Sequence, residues 1–324
     1  MTEWLYEAGI GEDRAALVAQ GRIVKARLAV HGAPALGTVA EARLVEALPG
    51  GKARAAIAPL PGADGTRPKV DVLLDTVPSG MSIGRTLMVV ITRDAIPEHG
   101  RAKLARAIAA PDGIVPVPGP DLLERISASG APVRRCHPHE ADYLEAAGWS
   151  EVLDEAMTGE IAFPGGALRL SPTPAMALFD VDGSAPIAPL ALAAATACAQ
   201  AIVRHDIGGS IGIDFPSVTG RAARAAIGAA IDDALPQPFE RTALNGFGFL
   251  QIVRRRARAS LPELLRADPV GADARAALRQ MERAGQAQRA HHRFSPAITA
   301  RLRQRPDWLA ELARRTGTAP ILED

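Results

Sequence analysis

Between residues 22 and 96 apolar and polar positions alternate in short runs broken by glycine and proline. A period of two marks strands. The runs are IVKARLAV (23–30), TVAEARLVEAL (38–48), ARAAIA (53–58), VDVLLD (70–75) and TLMVVITR (86–93). LPGG, LPGADGTRP and PSG lie between them as turn signals. Short strands at this spacing predict a small antiparallel barrel. Residues 101–107 are basic, and PDGIVPVPGP (111–120) reads as a linker. From 120 to 157 the pattern is mostly helical.

A second unit is expected to start near Gly159. Strands are predicted near IAF, LRL, MALFDV and SIGIDF, with a helix from Pro189 to Arg204 between the last two. Proline near the start of that helix and Gly208 past its end fit the usual asymmetry. TGRAARAAIGAAIDDAL predicts a further helix. ALNGFGFLQIVRRR reads as a hairpin with Asn245-Gly246 as its turn signal. From Leu261 onward the chain is helical and charged. The pattern contains no internal repeat.

This organisation predicts an α+β protein in four consecutive parts: 1–108 carrying the barrel, 109–158 as a helical connector, 159–262 as an α/β unit, and 263–324 as a helical region. Hydrophobic residues make up 48% of the 324, enough for a sizeable core. Net charge is +1, so any nucleic-acid surface has to be local. Cys136 and Cys198 stand far apart in no CxxC pair, which indicates neither a disulfide framework nor a cysteine zinc site and suits a reducing cytoplasm. The acidic, glycine-broken start MTEWLYEAGIGEDRAAL is not read as a signal peptide. The apolar run around 188–203 is read as too short and alanine-rich to span a bilayer. The expectation is a cytoplasmic protein with no membrane partner.

The segment HDIGGSIGIDF (205–215) ends in an apolar run that carries an aspartate, where an unpaired buried charge is costly. AMALFD (175–180) ends the same way. One helix separates them, long enough for a crossover between parallel strands. Parallel neighbours present their C-terminal ends at one sheet edge, where open α/β sheets bind ligands. Asp180 and Asp214 would then face one crevice, with Asp182 on the same side of its strand. Like charges so close call for a cation, and oxygen-only donors favour Mg²⁺ or Mn²⁺ over zinc. In the competing reading, Asp180 opens a turn in DVDGS and Asp214 caps the loop before Pro216.

LDEAMTGEIAFPGGALRLSPTPAMALFDVDG (153–183), RHDIGGSIGIDFPSV (204–218) and FGFLQIVRRR (247–256) resemble the catalytic core of the RNase E/G endoribonucleases. GRTLMVVITRDAIPEHGRAKLA (84–105) is similar to the end of that family's OB-type RNA-binding barrel, and the first 30 residues to its opening hairpin segment. The resemblance implies an OB-like barrel followed by a DNase-I-like unit. It implies Mg²⁺ on Asp180 and Asp214, with Asp182 where well-known members have asparagine. It further implies hydrolysis of single-stranded RNA, in processing or decay, to 5′-phosphate and 3′-hydroxyl ends.

The chain also departs from that pattern. The family's insertion between barrel and catalytic unit, an RNase-H-like piece with a pocket for 5′-monophosphate ends, is mostly missing. The loop after Asp180 is trimmed, Gly246 stands where an arginine is common, and Thr173-Pro174 replaces a Thr-Glu. The paired cysteines that clamp zinc between subunits are absent, so a homo-oligomer would need another link. The barrel lacks base-stacking aromatics, so its RNA affinity is expected to be modest or to rest on charge, the alternative being a barrel kept only as a scaffold. An alternative from another class is a non-catalytic RNA-binding or assembly factor that keeps the fold.

Arg254 and Arg256, in the basic run after the hairpin, read either as phosphate contacts or as a solvated face. Arg221 and Arg224 read as support for a phosphate backbone or as ordinary helix-surface charge. CHPHE (136–140) is read as a loop, His205 as a structural residue at a helix C-terminus, and His291-His292 as surface. GGSIG lacks the lysine and following helix of a phosphate loop.

Overall fold

The structure is a computed structural model and describes residues 2–57, 70–98, 102–284 and 291–323. The turn LPGADGTRP and Arg101 of the basic run lie outside the described residues. In chain order the first strands are β1 (Thr2–Ala8), β2 (Glu12–Ala19), β3 (Arg22–Val30), β4 (Val39–Leu48), β5 (Lys52–Ile57), β6 (Val70–Leu74), β7 (Thr86–Arg93) and β8 (Ala105–Ala109). Next come α1 (Leu122–Ser127), β9 (Val133–Arg135), α2 (Tyr143–Ala146) and α3 (Trp149–Thr158). β10 (Glu160–Phe163), β11 (Gly166–Pro172), β12 (Ala177–Gly183), α4 (Ile187–Arg204), β13 (Gly209–Asp214) and α5 (Arg221–Ala234) follow. The chain continues through β14 (Phe239–Arg241), β15 (Phe249–Arg254), α6 (Leu261–Ala267) and α7 (Pro269–Arg283). It ends with β16 (His291–Arg293), α8 (Pro296–Arg303), α9 (Pro306–Thr316) and β17 (Ile321–Glu323).

The chain divides into two compact units that are not consecutive in sequence: Met1–His31, Leu122–Leu153 and Leu265–Asp324 form one, and Gly32–Asp121 with Asp154–Leu264 the other. The expected four-part linear division does not describe this arrangement. Residues 23–30 form β3 of the first unit rather than a barrel strand, and residues 2–19, likened to an opening hairpin but given no strand by the apolar pattern, form β1 and β2.

In the first unit the sheet order is β3-β2-β1-β9, antiparallel except that β9 runs parallel to β1. Residues 133–135, expected within a helical connector, cover the edge of β1, whose backbone groups otherwise lack partners. Leu122 and Ile126 of α1 pack on Trp4, Tyr6, Ala15 and Leu17. A second cluster joins Ile10 to Leu278, Met281, Leu302, Trp308 and Leu312 from α7–α9. Asp268 caps α7 through the Gly271 N–H, ahead of Pro269, and takes a forked pair of 2.9 Å bonds from Arg301.

The interior of this unit also holds charge. Arg14, with a side chain 2% exposed, meets Glu7 at 3.0 Å and Glu12 at 2.8 Å. Arg275 and Arg279 reach the same carboxylates at 2.6 and 2.7 Å, and Arg279 and Arg283 hold Asp142 at 2.6 and 3.1 Å. Arg275, Arg279 and Arg283 are spaced four apart, so one face of α7 presents all three.

The second unit contains a closed five-stranded barrel, β4-β5-β6-β8-β7. Alternate residues fill its interior: Ala40, Ala42 and Leu44 from β4, Ala53, Ala55 and Ile57 from β5, Val89 and Ile91 from β7. The same unit holds a six-stranded sheet in the order β10-β11-β12-β13-β15-β14. β12 and β13 are its parallel pair, joined by α4. The mixed α+β class and the presence of a closed barrel match the reading of the sequence.

α4 and α5 contribute to one core with Phe179, Val181, Ile211, Ile213, Leu250 and Ile252, so both helices lie on one face of the sheet. By length and composition α4 would suffice to cross a membrane. Its residues Leu190, Ala194, Cys198 and Ile202 are buried in this core. The small alanine stripe lets the helix approach the sheet closely, and burial pushes the Cys198 thiol far up from its ordinary value.

Candidate functional site

Parity along the two parallel strands decides which side chains share the face opposite the helices. In β12, Phe179 and Val181 point into the core, so Leu178, Asp180 and Asp182 point away. In β13, Ile211 and Ile213 are in the core, so Gly212 and Asp214 point away. The parallel register then pairs Asp180 directly with Asp214. Register partners on neighbouring strands stand about 4.8 Å apart, and Asp182 lies about 6.6 Å further along its strand. All three aspartates are exposed.

Asp214 is therefore not a charge inside a core, as the apolar run suggested. It sits on the open side of a strand whose other side is buried. Nor does Asp180 open a turn, because β12 continues through Gly183 and Asp182 pairs with Ala167 of β11.

The register extends the row. Arg169 of β11 is the partner of Asp180, Glu160 of β10 the partner of Arg169, and Phe249 of β15 the partner of Asp214. Across the open face the order is Glu160, Arg169, Asp180, Asp214, Phe249. Arg169 bonds Glu160 at 2.9 Å, and its guanidinium is held above its ordinary pKa first by that bond, with Asp182 and Asp180 adding to it. Among the described residues no hydrogen bond or ion pair involves the side chains of Asp180, Asp182 or Asp214.

One step back along the strands, an added Cβ on Gly212 would stand 2.7 Å from the Phe249 ring, 2.8 Å from the Met176 sulfur and 3.1 Å from Leu178. A larger residue there would push these side-chain ends aside; over the glycine they close as an apolar floor beside the aspartates. Gln251 is the register partner of Gly212 on the same face.

The loops that leave this edge are tied together. Phe215 donates its N–H to Gly248 O at 2.9 Å. Gly248 has φ +94°, and a Cβ there would lie 2.2 Å from Phe215 O. The hairpin connection is wider than an Asn-Gly two-residue turn. Asn245 organises it, with Oδ1 accepting from the N–H groups of Phe247 and Phe249 at 2.9 Å each. The left-handed residue is Gly248 rather than Gly246.

The four arginines separate into two pairs. α5 begins at Arg221 after the loop from Asp214. Arg221 is exposed, and Arg224 donates to Val218 O at 3.3 Å. Arg254 lies five residues beyond the partner of Asp214, about 17 Å along β15. It shares the helix-side parity of Leu250 and Ile252 and donates to Ile207 O at 3.1 Å. Burial lowers its pKa while Asp206 opposes the change. Arg256 pairs with Glu98 at 2.8 Å and with Glu263, which also accepts from the Ser260 N–H and hydroxyl. The structure therefore brings Asp180, Asp182 and Asp214 onto one face and sets Arg221 and Arg224 beyond the end of β13. Arg254 and Arg256 do not join them; Ile207 O accepts from Arg254, and Glu98 and Glu263 each pair with Arg256.

His205 caps the C-terminus of α4, fully buried, with Nε2 3.1 Å from Glu155. His137 and His139 stack on each other in a turn, and His291 pairs with Glu323. Among the described residues no three His, Cys, Asp or Glu side chains are grouped as a metal site. Two facing carboxylates still fit a hard divalent cation, since Mg²⁺ is commonly held by one or two carboxylates, with water and substrate phosphates completing its shell. Reading the sequence missed Arg169 and Phe249 as parts of this face, and Phe247 in the turn that leads into β15. Their alternation in LRL and FGFLQ was the available signal. No family model and no curated protein matches this sequence.

Proposed function

We propose that the chain is a Mg²⁺-dependent endoribonuclease of the RNase E/G type acting on single-stranded RNA, with Mn²⁺ as an alternative ion and the cytoplasm as its setting. In this reading the closed barrel is OB-like and the six-stranded unit DNase-I-like. The observation that carries it is the register pairing of Asp180 with Asp214 on adjacent parallel strands, on a face left open by the helices. Asp180 and Asp214 hold the ion, and Asp182 assists from the next position on that face. Bound there, the ion supplies a water of lowered pKa and stabilises charge on the scissile phosphate.

The protein's own contribution is position. The strands fix the two carboxylates side by side, and among the described residues no arginine is bonded to them. Arg221 is placed to steady a phosphate beyond the end of β13. Products carrying 5′-phosphate and 3′-hydroxyl ends require that, as water attacks the phosphorus, the bond to the 3′-oxygen breaks and that oxygen leaves as the hydroxyl.

The test is cleavage of an unstructured RNA by the purified chain in Mg²⁺, with Asp214→Asn beside it. Metal-dependent cleavage lost in the variant supports the assignment. Equal cleavage by both, or none by either, rejects it. A non-catalytic RNA-binding or assembly factor is the second reading. It is favoured by the engagement of Arg254 and Arg256 within the protein, which leaves fewer cations for a scissile phosphate. It predicts RNA binding without metal-dependent cleavage.

A further inference from the structure

Base recognition by stacking needs an aromatic ring at the surface, and this chain has few rings to offer. It contains seven Phe, three Trp and two Tyr, and residues 32–121, which include the barrel, contain none. Phe247 is the one Phe, Trp or Tyr that stands exposed among the described residues, at 88%.

Its position is fixed. Asn245 accepts from the N–H groups on both sides of Gly248, at Phe247 and Phe249. Gly248 is pinned against Phe215, the residue that follows Asp214. The ring is thus displayed on a braced turn two residues, or about 7 Å along the chain, from the strand partner of Asp214. With the backbone braced, the ring has only its own two side-chain torsions to lose when a ligand packs on it.

The chemistry around it is divided. Toward the strands lie the aspartates, which approach a phosphate only with a cation between. Behind them lies the apolar floor of Met176, Leu178 and Phe249 over Gly212. A nucleotide satisfies both parts, with its phosphate at the carboxylate pair and its base on a ring.

We propose that Phe247 is the base-stacking residue of this site and holds an unpaired nucleobase next to the phosphate that faces Asp180 and Asp214. The assignment rests on the single-stranded RNA reading above and names the residue that makes it selective. A duplex keeps its bases stacked inside and gives the ring no face to cover. Stacking tolerates any base, so the preference is for unpaired RNA rather than for a sequence.

The experiment uses the full chain, Phe247→Ala and Phe247→Trp, and a single-stranded RNA carrying 2-aminopurine. It reads anisotropy, 2-aminopurine quenching and cleavage in Mg²⁺, with Asp214→Asn as the catalytic control. Phe247 is exposed, so both variants are expected to melt with the parent. The assignment predicts about 5- to 150-fold weaker binding for Phe247→Ala, the equivalent of ~1–3 kcal/mol, with quenching lost. Phe247→Trp should retain both, and duplex RNA should not distinguish the proteins.

If Phe247→Ala binds and quenches like the parent while the parent cleaves and Asp214→Asn does not, the stacking assignment is overturned and the nuclease reading stands. If quenching depends on Phe247 and no protein cleaves, the stacking assignment stands and the nuclease reading falls. If the parent does not bind the RNA at all, both fall.

Discussion

Two groups of carboxylates in this chain invite comparison. Glu7, Glu12 and Asp142 are gathered in the first unit, and each is bonded to arginine: Arg14, Arg275, Arg279 or Arg283. Asp180, Asp182 and Asp214 are gathered on the open sheet face of the second unit, with Arg169 as register neighbour but bonded to Glu160. In the first group Glu7 and Glu12 are buried, Asp142 is partly so, and all three are paired within the chain. The second is exposed and left for something outside the chain. Acid clusters alone therefore do not mark a site; what separates the two is whether the protein supplies its own cations. Buried carboxylates must be paired to be tolerated at all. Exposed ones need no pairing for stability, so their convergence asks for another reason.

The sharpest way to break the comparison is to remove one arginine from the buried group. Arg14→Ala leaves Glu7 and Glu12 in the interior with fewer partners, and losses of this kind run ~3–5 kcal/mol. Trp4, Trp149 and Trp308 all lie in the first unit, so urea unfolding followed by tryptophan fluorescence reports that unit. A shift below about 1 kcal/mol would mean that the network is incidental.

Asp214→Asn asks the converse. Metal-dependent RNA cleavage is expected to fall by on the order of 100-fold or more, as when one group that stabilises transition-state charge is removed. Stability should move by no more than ~0.5 kcal/mol, as at other surface sites. A variant that loses stability together with activity would show that the aspartate is structural and would merge the two groups.

Acid offers a smaller test confined to the first unit. Burial pushes the Asp142 carboxyl up, but the Arg279 hydrogen bond, the Glu145 N–H and the charges of Arg279 and Arg283 outweigh it, and the net shift is downward. Glu311 is held at about 2, first by its bond from Arg314 and further by Arg315. Both carboxyls titrate lower in the folded chain than in the unfolded one. The stability they contribute is complete above their ordinary values near pH 4 and is lost as pH falls through the folded values. The urea midpoint read by tryptophan should hold steady between pH 7 and 5 and decline from about pH 4 toward pH 2. A decline that begins near pH 6 would point to histidine instead.

The comparison also explains what the sequence disclosed. β12, α4, β13 and α5 are local: each follows from a short apolar period, and the crossover places Asp180 beside Asp214. The barrel strands β4, β5, β6 and β7 were legible for the same reason. β1 and β2 were not legible in the apolar pattern and were suggested only by the family resemblance, because Glu7, Glu12 and Arg14 interrupt that pattern where the interior is ionic. Those charges make sense only once Arg275 and Arg279, some 260 residues later, come alongside. Residues 133–135 gave no strand signal, since three residues become a strand only where an edge such as β1 awaits them. At the site, alternation fixed the faces of the aspartates but not the fate of Arg254 and Arg256. Their partners Ile207, Glu98 and Glu263 are set by tertiary packing.

The smallest effect sharpens the boundary between the two groups. Arg169 is the cation nearest in register to the open aspartates, and it is engaged with Glu160 in a pair whose guanidinium side is 58% exposed. Exposed pairs contribute about 0.2–1 kcal/mol, so Arg169→Ala should barely change stability. Its charge nevertheless opposes a second cation at Asp180. Removing it should tighten Mn²⁺ binding by roughly two- to fivefold in low salt, measured by calorimetric titration of the full chain. The gain should fade as ionic strength approaches 0.5 M, because exposed charges are then screened over less than ~5 Å. Weaker Mn²⁺ binding in the variant would reverse the assignment. Arg169 would then be ordering the carboxylates, as arginine does in the buried group, and the distinction between the two would rest on burial alone.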